Sequence, residues 1–91
     1  MAQTEAKGMM PNKDPLAWDI ATVLRSLGGS AHQTVVIDCV TALQRQRGLE
    51  VRRQDMASRI IEVFEHYRDM FFRPFGEGSQ RWALAPGFAA A

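Results

Sequence analysis

One cysteine, Cys39, is all the thiol chemistry that the 91 residues hold. No disulfide can form within the chain, and the cross-links that stabilise small secreted domains are excluded. A reducing compartment suits such a chain, so the cytoplasm is the expected location. No apolar run approaches the roughly 20 residues that cross a bilayer. The opening Met1-Ala2-Gln3-Thr4-Glu5-Ala6-Lys7 carries an acid and leads into no apolar stretch, so a secretory signal is not expected. An excess of one charge is also missing. Eleven Lys and Arg against ten Asp and Glu leave a net of +1, too little for the whole molecule to attract a polyanion. Apart from the alanine-rich end there are no repeats or low-complexity segments.

Patterns for catalysis are equally scarce. Cys39, His32 and His66 lack the closely spaced ligand pairs of zinc sites, so no metal is expected. Cys39 sits in an apolar stretch with no cation at helical spacing to lower its thiol pKa, and reads as a small core residue. Glu62 and Glu65 share a helical turn, but both point outward and nothing beside them would separate their pKa values for acid and base roles. Gly76-Glu77-Gly78 is too short and too acidic to cradle phosphate, and it opens no helix. Neither a cofactor nor an enzymatic activity is expected.

What is present is 46% hydrophobic residues, enough for one core and one domain. Residues 1–13 read as a flexible N-terminal tail, 14–87 as the folded domain and 88–91 as a short C-terminal tail. Asp14 is placed to cap a helix that begins at Pro15, whose preset φ suits the first helical position. Leu16, Ile20, Val23, Leu24 and Leu27 mark one face of that helix, and Gly28-Gly29 ends it. Ser30-Ala31-His32-Gln33 has capping-box spacing, which predicts a second helix starting at once. Val36, Val40 and Leu43 line it, and Gly48 closes it. Met56, Ile60, Val63, Phe64 and Tyr67 predict a third helix, with no Ser, Thr or Asn at its cap and with Arg52-Arg53 beside the positive end of its dipole. The remainder, aromatic residues to Phe75, a glycine turn and Gln80-Arg81-Trp82-Ala83-Leu84, predicts strand, turn and strand, with Trp82 and Leu84 on the buried face. Pro74 lacks an amide donor and belongs at an edge or bulge. The fold class is therefore mainly α with a C-terminal β-hairpin.

Three helices, a tight Gly-Gly turn and a glycine-turned hairpin ending in Arg-Trp-Ala-Leu resemble the winged-helix (winged helix-turn-helix) superfamily over roughly residues 14–86. The resemblance implies duplex DNA binding, and with it a transcriptional regulator. The third helix would enter the major groove and the hairpin wing would touch backbone or minor groove. It also implies a site: Arg52, Arg53, Gln54, Ser58 and Arg59 from the third helix, and Arg73 and Arg81 from the wing. Guanidinium groups suit phosphate and guanine, and Gln and Ser suit phosphate and base edges. Local clustering agrees, since Arg45, Arg47, Arg52, Arg53 and Arg59 lie in a stretch whose acids are Glu50 and Asp55. Further along the helix, Glu62, Glu65 and Asp69 face outward with Ser58, so only the first two turns would suit phosphate.

The alternative is a winged-helix module for protein interaction or dimerisation with no DNA contact. Met9, Met10, Ile61 and Phe88 have no evident core assignment and would suit a homodimer or partner interface. The two readings differ in surface: DNA binding predicts that the Arg52-Arg53 end, Arg59 and the wing arginines form one continuous positive surface, and a protein module predicts an exposed apolar patch.

Overall fold

The computed structural model describes residues 14–89, with side chains to Phe88; the expected tail at 1–13, including Met9 and Met10, lies outside the described residues, as do Ala90 and Ala91. The first helix, α1 (Pro15–Ser26), starts as its sequence demands. The Asp14 carboxylate accepts from Leu16 N–H at 2.9 Å and Pro15 follows the cap. It ends where Gly28 and Gly29 take φ of +91° and +101°, letting Gly29 N–H donate back to the Leu24 carbonyl at 2.8 Å. Leu16, Ala17, Ile20, Ala21, Val23 and Leu24 are buried along one stripe.

The next three residues depart from expectation. Ser30–His32 form a strand, β1, instead of a helix cap. Their backbone pairs antiparallel with the chain some 50 residues later, Ser30 opposite Ala83, Ala31 opposite Trp82 and His32 opposite Arg81. Leu84 N–H donates to the Gly29 carbonyl and Gln33 N–H to the Gln80 carbonyl, each at 2.8 Å. A ladder that satisfies several backbone groups and buries Ala31 outcompetes one side-chain capping box. The cap of the second helix, α2 (Gln33–Gln46), moves to His32, whose Nδ1 accepts from Thr34 N–H at 3.1 Å. Val36, Ile37, Val40, Thr41 and Gln44 are buried on its inner face, and Cys39 and Leu43 are half-buried against the core.

The third helix, α3 (Arg53–His66), buries Met56, Ile60, Val63 and Phe64 and has no side-chain bond at its Arg52 cap. Asp55 in its first turn partly offsets the missing cap through the helix dipole. Then come β2 (Phe71–Phe72) and β3 (Arg81–Leu84), joined through a turn in which Gly76 has φ of +98°. Pro74 lies beyond the end of β2, outside the ladder. The hairpin is thus part of a three-stranded antiparallel sheet in the order β1-β3-β2, with Phe71 opposite Leu84 and Phe72 opposite Ala83.

Helices and sheet meet at an aromatic stack. Phe64 lies parallel to Trp82 with ring centroids 4.5 Å apart and meets Phe71 edge-on at 5.2 Å. All three are fully buried, each worth about 1.5–3 kcal/mol relative to exposure. A final turn, α4 (Pro86–Ala89), returns Phe88 to the core. Its ring lies 6.0 Å from Trp18, and Arg25 donates to its carbonyl at 3.1 Å. Phe88, expected to open a C-terminal tail, therefore packs partly buried against the folded domain.

Candidate nucleic-acid interface

The amino-terminal two turns of α3 present Arg52, Arg53, Gln54, Ser58 and Arg59, all exposed. The helix is anchored from behind by Met56 and Ile60, each at most 1% exposed, so its outer face is held in place by the core. Two of the arginines have acidic neighbours. Arg52 Nε donates to Asp55 at 3.2 Å, and Arg53 pairs across to Asp38 on α2. Arg59 makes no ion pair with a described residue and borders a cleft of about 340 Å³ shared with Asp19, Gln44 and Arg47.

The other basic residues of the central stretch support the scaffold. Arg45 donates through Nε and Nη2 to the Val51 carbonyl at 3.3 and 3.1 Å, bracing the connector before α3. Arg47 makes two bonds of 3.0 Å to the Asp19 carboxylate on α1. Those bonds, and then the charge of Asp19, raise the Arg47 pKa above its ordinary value. Gln44, buried beside them, donates to the same carboxylate at 2.6 Å.

The wing corrects the expected site. Arg73 does not stand out toward a ligand: its side chain is only 18% exposed, and its guanidinium lies 4.5 Å from the centre of the Trp82 ring. Nη1 donates to a Glu77 carboxylate oxygen at 2.7 Å and to the Glu77 carbonyl at 3.1 Å, while Nη2 donates to Glu65 on α3 at 2.9 Å. Arg68 closes the group, 5.4 Å from the same ring and 3.4 Å from both Glu65 and Glu77. Held on an indole face with Nη1 and Nη2 bonded to two carboxylates and Nε buried without a partner, Arg73 is turned into the fold instead of outward. Arg68 escaped the sequence reading, and Glu77 was read there only as part of a turn. The four-residue spacing of Arg73 and Glu77 was visible, but their convergence on Trp82 needs the hairpin to fold. Arg81 is half-buried opposite His32 and makes no ion pair with a described residue.

The seven predicted residues are therefore not gathered into one continuous positive face. Five share the start of α3, with the carboxylates of Asp38 and Asp55 interspersed; Arg81 sits on the sheet; Arg73 is clamped under the wing. Glu62 and Glu65 are exposed on the later turns of α3. Phe72 and Phe75 are exposed on the hairpin, Phe75 at 73%. Among the described residues no cluster of three or more His, Cys, Asp or Glu could hold a metal ion, and no helix is long and apolar enough to cross a membrane. Compared with protein-family models, curated proteins and solved structures, the chain matches none.

Proposed function

We propose that this chain is a winged-helix domain that binds duplex DNA with the amino-terminal two turns of α3. The observation that carries the reading is the exposure of Arg52, Arg53, Gln54, Ser58 and Arg59 together at one end of a helix whose opposite face is sealed in the core. The element order and the strand order β1-β3-β2 support the same reading, since they set a three-stranded hairpin sheet beside a helical trio.

The neighbouring acids limit the strength of binding without abolishing it. Exposed ion pairs such as Arg52 with Asp55 are worth about 0–1 kcal/mol, so a phosphate can replace the carboxylate as the arginine's partner. Contacts from Arg52, Arg53 and Arg59 alone correspond to a slope of about −3 in log affinity against log salt. Fluorescence anisotropy with mixed-sequence duplex at low and near-physiological salt measures this. The expected result is salt-sensitive binding with that slope, reduced to about −1 in Arg52→Ala/Arg53→Ala. No binding at low salt rules the reading out.

A second reading, a protein-interaction module, is favoured by Phe75, an aromatic side chain left 73% exposed at the wing. A second copy of the chain is one such partner. Sedimentation of the wild type and of Phe75→Ser separates it from the first reading: self-association lost in the variant, with DNA binding intact, assigns the wing to protein contact.

A further inference from the structure

Arg52 and Arg53 differ from the arginines of the scaffold in which nitrogen they commit. Arg47, Arg68 and Arg73 give both terminal nitrogens, Nη1 and Nη2, to carboxylates. Arg52 and Arg53 are bonded through Nε alone, to Asp55 and Asp38, and no described residue takes their Nη1 and Nη2 donors. A guanidinium anchored by Nε keeps its terminal fork intact, and the fork is what makes two parallel hydrogen bonds to one planar acceptor.

The two anchors are not equivalent. Asp55 stands three residues along the same helix, and its pair is open to water, with the Arg52 side chain 78% exposed. Asp38 is on α2, 15 residues from Arg53, and its bond ties the first turn of α3 to the neighbouring helix. Both helices are seated in the core by their inner faces, so Arg53 is set relative to two fixed elements. In the major groove, guanine presents O6 and N7 as adjacent acceptors, which match an arginine fork. A guanidinium already held in place loses less freedom on docking. The exposed bond to Asp38 is worth too little to keep Arg53 from a phosphate, so on mixed sequence Arg53 serves as a phosphate contact. Opposite guanine the two partners do not compete, because the base takes Nη1 and Nη2 while Asp38 keeps Nε.

We propose that Arg53 reads a guanine in the major groove and that Asp38 is the positioning residue that sets its guanidinium for that contact. The inference rests on the DNA reading and adds a base preference to it. The test is selection from a pool of randomised duplexes at near-physiological salt by the wild type, Asp38→Ala and Arg53→Ala, each also titrated with mixed-sequence duplex. The wild type is expected to enrich guanine at one position by about fivefold or more. Placing 7-deazaguanine there removes N7, leaves pairing and phosphates unchanged, and is expected to cancel the preference. Asp38→Ala is expected to lose the enrichment while its mixed-sequence affinity and thermal midpoint do not fall, a split that a merely structural role would not produce. Arg53→Ala is expected to lose the enrichment together with about one unit of salt slope. Salt-sensitive binding without guanine enrichment overturns this inference and leaves the DNA reading standing. Enrichment that survives in Asp38→Ala, or on 7-deazaguanine, overturns it in the same way. No binding of any duplex at low salt removes the DNA reading and this inference with it.

Discussion

The two ends of α3 handle arginine in opposite ways. At the amino-terminal end Arg52 and Arg53 pair with Asp55 and Asp38 in open solvent, each partner at least 49% exposed. At the carboxyl-terminal end Arg73 pairs with Glu65 and Glu77 while lying on buried Trp82, and solvent reaches little of it. The residue type and the partner type are the same, and the surroundings decide the role. Water screens the first set, so those arginines remain free to exchange partners; in the second the carboxylates stay exposed but the indole covers the guanidinium, so that arginine is part of the fold.

Substitutions can break this contrast, and the largest effect belongs to the platform. Trp82→Ala removes the ring that stacks on Phe64 and carries Arg73, and is expected to cost about 3–5 kcal/mol, read as a fall in the urea midpoint. A loss below 1 kcal/mol would mean that the stack does not join the wing to the helices. Arg73→Ala comes next, at about 1–2 kcal/mol, combining a cation–π contact and charge-assisted bonds in a half-buried setting. DNA anisotropy should be unchanged in that variant; weakened DNA binding at unchanged stability would return Arg73 to the interface. The smallest change is Arg52→Asp, which supplies the side-chain cap that α3 lacks. It should raise stability by about 1 kcal/mol while lowering DNA affinity, and thermal melts paired with anisotropy separate the two. Stability gained without loss of affinity would remove Arg52 from the proposed contact.

Legibility in the sequence followed the range of the interaction. The periods of Leu16, Ile20 and Leu24 and of Met56, Ile60 and Val63 mark their helices, because side chains three and four apart share a face whatever the rest of the chain does. Gly28-Gly29 marked the end of α1 for an equally local reason, its positive φ. β1 was not legible. Three residues display no period, and Ser30 reads as a cap until Arg81, Trp82 and Ala83 arrive beside its strand. Phe88 was misread similarly, since nothing near it in sequence indicates Trp18. Of the candidate site, the exposure of Gln54, Ser58 and Arg59 followed from the helical wheel around Met56 and Ile60, whereas the burial of Arg73 did not, because its partners are supplied by α3 and β3.

By itself the sequence determined where three helices lie, which faces they bury and that an aromatic hairpin follows them, because those features depend on spacing within a few turns of chain. The tertiary structure decided the third strand, the return of Phe88 and, above all, which arginines stay exposed and which are absorbed by the fold. Availability of a charge depends on the carboxylates and rings brought to it from distant positions, and on how much water remains between them.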